Sequence, residues 1–323
     1  MKKILIIILV IALSLFSVSA GRDRLIKTAV TTIAGSLTGT KISIRGLSLG
    51  LLSQSVKISG FRIYNPKGFP AGIFVDIPKI YVDYNIWSLL KEGKLHIRNL
   101  DLHLKKMTII KREDNKMNVD ALTVVSEEEQ AGTSKKVKQK SSSQMPMQID
   151  LMKLELGELI YKDYGTEGPE PSVRVFNLNL KKEYKNITST QQLTVLIMSE
   201  PMKAAGIKGA AIYGVTALVG TAILPVAVAA TVIGKDSAEA QINKDFVGLF
   251  KVSLQVLKKV GKVKQESASL GVIKADVEGA QVSLELKEIS KGTTRITVSA
   301  RKLLLPRPEI AEGVIYQIRE ELK

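Results

Sequence analysis

The two histidines of the chain are the first residues to consider for acid–base or metal chemistry. His96 and His103 lie seven positions apart on adjacent predicted strand segments, and Asp101 lies between them. An odd spacing within one continuous strand places two side chains on opposite faces. No serine or third ligand occupies a suitable position. The pattern therefore predicts exposed strand histidines, with no catalytic residue, no metal site and no cofactor.

Three further patterns are weak as chemical sites. Asp76, Asp83 and Asp101 alternate with apolar residues, which is more typical of outward strand carboxylates than of a calcium site. The glycines of 206–220 lack the Lys-Ser/Thr ending that cradles a phosphate. The chain has no cysteine, which excludes disulfides, zinc ribbons and thiol chemistry. We therefore expect a protein that is not an enzyme.

Charge and apolar content indicate the partners. The chain of 323 residues is 45% hydrophobic, its mean hydropathy is +0.11 and its net charge is +16. A basic surplus suits nucleic acid or an anionic membrane surface. No nucleic-acid motif occurs, so we expect membrane phospholipid as the partner and no nucleic acid. The late basic residues are weaker candidates for contacts to lipid phosphate, because a solvated face explains them better: Arg301, Lys302, Arg307 and Arg319.

An uncharged N-terminal stretch predicts a membrane segment within residues 1–20. Lys2 and Lys3 precede Ile4–Ala20, whose length lies between a signal-peptide core and a full span. Small residues at its end leave two alternatives, a cleaved signal and a retained anchor. The hydrophobicity of Ile4–Val10 favours the anchor. In both cases the chain from Gly21 onward is first translocated.

The stretch Phe69–Leu122 positions most of the apolar side chains. Apolar residues alternate along predicted strands at Ile73–Asn85, Leu95–Leu104 and Met107–Ile110, which predicts a sheet with one apolar face. A short helix begins at Ile86 and ends at Gly93. Upstream we expect strands at Lys41–Arg45 and Val56–Tyr64, joined by a short crossing at Leu47–Leu52.

These segments resemble a known family. The runs TGTKISIRGLSLGLL and VKISGFRIYNPKGFP, followed by the Leu-Leu-x-x-Gly-Lys-Leu unit of residues 89–95 and by Asn118-Val119-Asp120-Ala121-Leu122, resemble the N-terminal module of AsmA-like envelope proteins. The resemblance covers residues 1–125 approximately and resumes at 147–164. It implies a bacterial inner-membrane protein, anchored by its N-terminal helix, whose curved β-groove module faces the periplasm.

The resemblance also implies function. Members of that family are associated with phospholipid transport and outer-membrane biogenesis and are not enzymes. Carried onto this sequence, the residues expected to face lipid are Val75, Ile77, Ile80, Val82, Leu95, Ile97, Leu102 and Ile109. This chain departs from the long family members, because its β module, residues 21–200, has few strands. It therefore looks too short to span between two membranes alone.

Two segments after the first strands have a different composition. Residues 126–144 lose their apolar period and predict a flexible loop. Strands are expected at Met145–Tyr164 and Val173–Lys181, and Gln192–Met198 fits either a strand or the start of a helix. Within residues 204–234, Gly209–Gly234 carries no charge. It fits a membrane span, a membrane-associated hairpin or a buried core segment.

Residues 236–323 predict a separate, small α+β sandwich. The order is a strand, a helix ending at Gly261, several antiparallel strands and a closing amphipathic helix from Glu309 to Leu322. Its Gly271, Gly279 and Thr293-Thr294 pattern resembles small uncharacterised bacterial envelope domains, often lipoproteins. The whole chain is thus expected to be α+β and mostly antiparallel β.

Two classes of function follow. The first is a membrane-anchored factor that binds or handles lipid on an exposed apolar β-surface. The second is a structural adaptor that binds other envelope proteins and covers its apolar face with its own helices. The sequence leaves the oligomeric state open.

Overall fold

The computed structural model describes residues 39–50, 53–122, 146–166, 170–208, 226–227 and 237–323. Strands account for 54% of this part of the chain and helices are few, so the class is α+β, as expected. Two sheets carry the fold, one of eight strands and one of six.

The first sheet has the order β1-β3-β4-β5-β6-β7-β8, with β2 also paired to β3. Its strands are β1 Ile42–Ser43, β2 Gly46–Gly50, β3 Ser55–Tyr64, β4 Ile73–Asn85, β5 Leu95–Lys111, β6 Met147–Asp163, β7 Ser172–Ile187 and β8 Val226–Ala227. The pairs from β1 to β5 are antiparallel. β5 and β6 run parallel, because Leu95 N donates to Pro146 O where both begin and Tyr164 N donates to Lys111 O where both end.

Among the described residues, two helices lie in the sequence between strands of this sheet, one between β4 and β5 and one between β7 and β8. Helix α1 (Ile86–Glu92) begins where Asn85 accepts hydrogen bonds from Trp87 N and Ser88 N, and it ends at the left-handed Gly93. Helix α2 (Thr190–Ala204) begins where the Ser189 side chain accepts from Gln192 N. Of the two alternatives for Gln192–Met198, the structure has the helix.

The second sheet has the order β10-β11-β12-β13-β14, with β9 paired to β13. Its elements are β9 Ser237–Ile242, helix α3 Phe246–Val260, β10 Lys262–Ser267, β11 Val272–Val277, β12 Ala280–Ser290, β13 Thr293–Lys302, β14 Leu305–Pro306 and helix α4 Pro308–Glu321. Side chains of α3 and α4 bury one face of this sheet in a single core around Leu249, Leu257 and Ile315. Asp245 caps α3, and Pro308 in the first turn suits the start of α4.

The described chain divides into two compact units. The first holds most of the eight-stranded sheet, and the second holds Thr108–Lys116, Glu158–Leu178 and residues 237–323. Within the second unit, the Ile160, Val173 and Val175 cluster packs against Tyr316 of α4. The ends of β5, β6 and β7 therefore belong to the same unit as the C-terminal sheet, which the sequence pattern did not indicate.

Two motifs of the family resemblance meet in the first unit. Asn118, which is fully buried, donates from Nδ2 to Asn65 Oδ1 at 3.0 Å. Asn65 in turn donates to Pro70 O at 2.8 Å, which holds the Asn-Pro turn closed. Asp120 accepts from Met117 N at 3.1 Å. The Asn-Pro turn that follows β3 and the segment that follows β5 are thus joined by side-chain hydrogen bonds.

Several strand predictions need correction. The expected crossing at Leu47–Leu52 contains strand β2, and the two strands expected between Leu95 and Ile110 are one continuous strand, β5. Polar residues at 105 and 106 interrupt the apolar alternation, but the backbone pairing to β4 continues past them to Met107. β14 was missed because it has only two residues.

No helix in the described ranges is both long and apolar enough to cross a membrane. The predicted anchor Ile4–Ala20 and the predicted flexible loop 126–144 lie outside the described residues. Of the apolar segment Gly209–Gly234, only Val226–Ala227 is described, and these two residues pair with Lys182 and Glu183 of β7. These two residues belong to a strand, which differs from the uninterrupted helix that a single membrane span would require.

Candidate functional site

A strip of apolar side chains crosses the first sheet at right angles to its strands. Paired residues of antiparallel strands project to the same side of a sheet. Leu47 pairs with Ile58, Ile58 with Ile80, and Ile80 with Leu102. A second row runs beside it through Leu49, Val56, Val82 and Leu100. We call this the apolar strip and the side of the sheet that carries it side A.

The strip continues onto β6. His103 contacts Glu155, and Lys111 contacts Asp163, both 52 positions apart. The same spacing places Leu154 beside Leu102 and Met152 beside Leu100. From β2 to β6 the strip is about 19 Å long, at about 4.8 Å per strand. That length exceeds the ~15 Å of one leaflet of hydrocarbon.

Exposure changes along the strip. The side chains on β2, β3 and β4 are half-buried: Leu47, Leu49, Val56, Ile58, Ile80 and Val82. Further along, Leu102 is 5% exposed and Leu154 is completely buried. The accessible apolar surface therefore lies at the β2–β4 end of the strip. Charged side chains border it on side A, where Arg45 lies against Gly60 and Arg62 pairs with Asp76 at 3.2 Å.

The apolar face changes side within the strands. β3 and β4 keep one register from Ser59–Lys79 to Phe61–Ile77, so these residues share a side. That side, side B, is polar at Ser59 and Lys79 and apolar at Phe61 and Ile77. Between the two pairs, Gly60 faces Pro78. Gly60 has a φ of 60°, and a Cβ at this position would lie only 2.8 Å from Arg45 Cβ, so both the backbone and the space require glycine. We call this level of the sheet the inversion line.

The eight predicted lipid-facing residues are consequently divided. Ile80, Val82, Leu95, Ile97 and Leu102 lie on side A, whereas Val75, Ile77 and Ile109 lie on side B. Val75, Ile77, Ile97, Leu102 and Ile109 are buried within the protein, and Ile80, Val82 and Leu95 are half-buried. This differs from the single apolar face expected from the alternation. The reason is that Pro78 does not shift the register, so residues three apart across it project to opposite sides.

On the Ser59–Lys79 side of the inversion line, the sheet carries a depression of about 440 Å³. Its lining is mixed, with Lys57, Lys79, Tyr81 and His103 beside Leu47, Ile58 and Ile80 of the apolar strip. His103 Nδ1 lies 2.8 Å from Glu155 Oε2, and Lys181 Nζ lies 3.3 Å from Glu155 Oε1. Partial burial opposes ionisation of Glu155, but the hydrogen bonds from Lys181 and His103 outweigh it and lower the pKa of this carboxyl. Glu155, His103 and Lys181 thus form an ion-pair cluster on this side of the sheet.

The two histidines lie on the same side, contrary to the expectation. The register of β4 and β5 shifts between Asp83 and Tyr84, so β5 contains an extra residue between His96 and His103. His96 Nε2 contacts Asp150 Oδ2 at 2.7 Å. Seven strand residues span about 23 Å, so the two histidines do not form one site. Within the described residues no group of three or more His, Asp or Glu side chains is arranged to hold a metal ion.

A buried ion-pair cluster on α2 was not predicted. Glu200 is 7% exposed, and Lys182 of β7 and Lys203 donate to its carboxylate, the latter at 3.2 Å. Burial opposes ionisation of Glu200, but the two lysines outweigh it and lower its pKa. The sequence contains one signal for this cluster, a Glu and a Lys three residues apart on a helix, but it does not indicate that Glu200 is buried.

The hairpin between β13 and β14 exposes three leucines. Leu303, Leu304 and Leu305 are 90%, 89% and 67% exposed. Arg301 pairs with Pro306 and Lys302 with Leu305, so Leu303 and Leu304 form a two-residue turn. The signal in the sequence is a run of leucines between basic residues where a strand must end, whereas the charge pattern alone predicts a solvated basic face there.

The comparisons with known proteins leave the chain without an assigned family. No protein-family model matches it, and no curated protein matches it significantly.

Proposed function

We propose that this chain is a non-catalytic, membrane-anchored envelope protein of AsmA type that binds or handles phospholipid. The proposal places the anchor at the N-terminus and the β module on the periplasmic side of the bacterial inner membrane, in outer-membrane or envelope maintenance. The observation that carries it is the half-buried end of the apolar strip on β2, β3 and β4. Side chains such as Ile58 and Ile80 there offer acyl chains an apolar surface.

The physical argument is one of area. Apolar surface that leaves water contributes about 25 cal/mol per Å². Six half-buried aliphatic side chains in two adjacent rows form a continuous surface, whereas scattered ones would not hold a chain. The accessible part of the strip, from β2 to β4, is about 10 Å wide at about 4.8 Å per strand, which accommodates part of an acyl chain.

Mass spectrometry of the purified full chain tests the proposal by counting phospholipid per chain. Replacing Ile58→Ser together with Ile80→Ser removes a directly paired couple from side A. We expect about tenfold weaker lipid retention, since roughly 1.5 kcal/mol of apolar contact is lost.

The matched control lies one position away. Lys57 pairs with Tyr81 on side B, so Lys57→Ser with Tyr81→Ser changes the same two strands on the opposite side. This control is expected to retain lipid as the parent does. Equal lipid content in both double variants would contradict the proposal.

A second function rests on a different observation. Five of the eight residues expected to face lipid are covered by the protein itself, among them Val75 and Leu102. A covered apolar face suits a structural adaptor that binds other envelope proteins. A folded preparation with no phospholipid above the level of the Ile58/Ile80 variant would favour this adaptor.

A further inference from the structure

We propose that the β13–β14 hairpin is a membrane-insertion tip that enters an anionic phospholipid surface. The tip consists of Leu303, Leu304 and Leu305, and it lies in the second unit. The inference does not depend on lipid binding at the apolar strip, because the two surfaces share no residue.

The first support is the exposure of the tip. Three consecutive leucines at 90%, 89% and 67% exposure contact almost nothing in the protein. Single exposed leucines are ordinary on protein surfaces, but a protruding run is typical of a site that enters an apolar phase. At the opposite end of the same sheet the turns each present only an isolated apolar residue, such as Leu270.

The second support is the backbone of the turn. Leu303 has φ 50° and Leu304 has φ 70°, the left-handed region that favours Gly, Asn and Asp. The neighbouring two-residue turn, Glu278-Gly279, has φ 51° and 72° and uses glycine at its second position. Leucine at both positions therefore destabilises the turn, and glycine or asparagine would form the same turn at a lower cost in free energy. A role for the side chains outside the folded chain explains this choice.

The third support is charge. Arg301 and Lys302 flank the tip, and Lys302 Nζ donates to the neutral carbonyl of Glu278 at 3.0 Å, which leaves its charge uncompensated by that contact. Arg301 also lines a surface depression of about 610 Å³ with Lys264 and Lys274. One carboxylate, Asp276, lies there and pairs with Lys264 at 2.9 Å.

Arg307, on the other flank, pairs with Glu309. The other basic residues near the tip are Arg301 and Lys302, which flank it, and Lys274 in the adjacent depression. Basic residues beside exposed leucines match lipid phosphates above a hydrocarbon layer, and each contributes to attraction by an anionic leaflet. This pairing selects an anionic phospholipid bilayer as the occupant.

The absence of cysteine from the chain makes the test specific. The full chain carrying Leu304→Cys, labelled with an environment-sensitive dye, is combined with phosphatidylcholine vesicles containing phosphatidylglycerol. We expect a blue-shifted emission that aqueous iodide does not quench. The matched control, Leu270→Cys with the same dye, is expected to remain quenched. A dye at position 304 that stays accessible to iodide would overturn the proposal.

Two variants separate insertion from folding and from charge. Leu303→Asn with Leu304→Gly, labelled at Leu305→Cys, places the preferred residues in the turn, so it is expected to melt no lower than the parent with Leu305→Cys alone and yet to lose the shift. Arg301→Gln with Lys302→Gln is expected to weaken insertion about thirtyfold in anionic vesicles.

Lipid composition and the strip variants complete the test. Equal insertion in vesicles of pure phosphatidylcholine would overturn the choice of an anionic surface. The Ile58→Ser with Ile80→Ser variant is expected to leave the dye signal unchanged. Loss of phospholipid retention with a normal dye signal would therefore concern the apolar strip alone.

Discussion

Glu200 and Lys182 form the most buried ion pair that the structure describes in the first unit. The Glu200 side chain is 9% exposed and that of Lys182 is 26% exposed, whereas Lys203, its other partner, is 47% exposed. Taking a carboxylate out of water is costly unless it is well paired. The half-buried Lys182 therefore matters more to Glu200 than the exposed Lys203.

Lys182→Met is expected to lower the free energy of unfolding at pH 7 by about 2 kcal/mol. Removing one partner of a fully buried pair costs about 3–5 kcal/mol, and Lys203 remains to compensate in part. Urea denaturation followed by circular dichroism measures the difference. Lys203→Met is the control and is expected to cost less than about 1 kcal/mol. A larger loss in the control than in Lys182→Met would contradict this ranking.

The same pair predicts a pH dependence. The pKa of Glu200 is lowered from its ordinary 4.5, so the pair stabilises the folded state above that pH, and its contribution is lost as pH falls through the folded pKa. In Lys182→Met only Lys203 is left to oppose the burial, so we expect the pKa of Glu200 to be higher than in the parent. We expect the difference between parent and variant to be largest at pH 7 and to shrink below about pH 4. A difference that grows in acid would contradict the assignment.

At the scale of residues, the sequence predicted which side chains are apolar but not which side they occupy. Ile77 and Ile80 belong to one apolar run, yet they project to opposite sides because the register does not shift at Pro78. His96 and His103 were expected on opposite faces, and a register shift brings them to the same side. A count of positions assumes an unbroken strand, and register depends on the partner strand.

At the scale of elements, the strands and helices were largely predictable because their apolar periods and caps are local. The predicted strand at Ile73–Asn85 and the helix ending before Gly93 match β4 and α1. The predicted C-terminal helices match α3 and α4. The parallel pairing of β5 and β6 was not predictable, because it joins residues 52 apart that no local signal relates.

Helix α4 carries a glycine where it approaches β7. A Cβ on Gly313 would lie 1.9 Å from the carbonyl oxygen of Val173. Glu312, beside it, accepts a hydrogen bond from Asn177 at 3.0 Å. Glycine in the middle of a helix ordinarily costs about 1 kcal/mol relative to alanine, so close packing is the reason for it here.

Gly313→Ala is expected to lower the free energy of unfolding by about 2 kcal/mol, despite the better helix propensity of alanine. The added methyl group requires a shift of the helix, and overpacking of this kind typically costs about 1–3 kcal/mol. Thermal melting measures the change, with the exposed Arg319→Ala on the same helix as the control, expected within about 0.5 kcal/mol. A stabilised Gly313→Ala would show that α4 does not pack this closely.

At the scale of the whole molecule, the predicted boundary at residue 236 remains a prediction. The core of the C-terminal sheet is drawn from Ala238 to Ile318. Yet the compact unit that contains it also includes Thr108–Lys116 and Glu158–Leu178, which a boundary read from composition would assign elsewhere. Composition changes at 209–234, whereas contacts follow the ends of long strands.

A fragment of residues 237–323 tests whether this core is sufficient for the C-terminal sheet and its helices to fold. We expect it to fold cooperatively, with dispersed amide resonances, because its core residues all come from the fragment. It loses the packing of Tyr316 on Ile160 and Val173. Each 1 kcal/mol lost lowers the melting temperature of such a domain by roughly 4–8 °C. A fragment of 237–306 lacks α4 and is the unfolded control; an unfolded 237–323 would contradict the expectation.

The inversion line has a consequence for how the strands find their partners during folding. In a uniformly alternating sheet, a strand that slips by two residues keeps its apolar side chains on the correct side, so the error is weakly penalised. Here a slip of β4 by two residues sets Lys79 against Phe61 in place of Ile77. Slips by two residues are therefore also penalised at the inversion line, whereas an odd slip reverses every side chain of the strand. The change of side at Gly60 and Pro78 thus adds to the specificity with which these strands align.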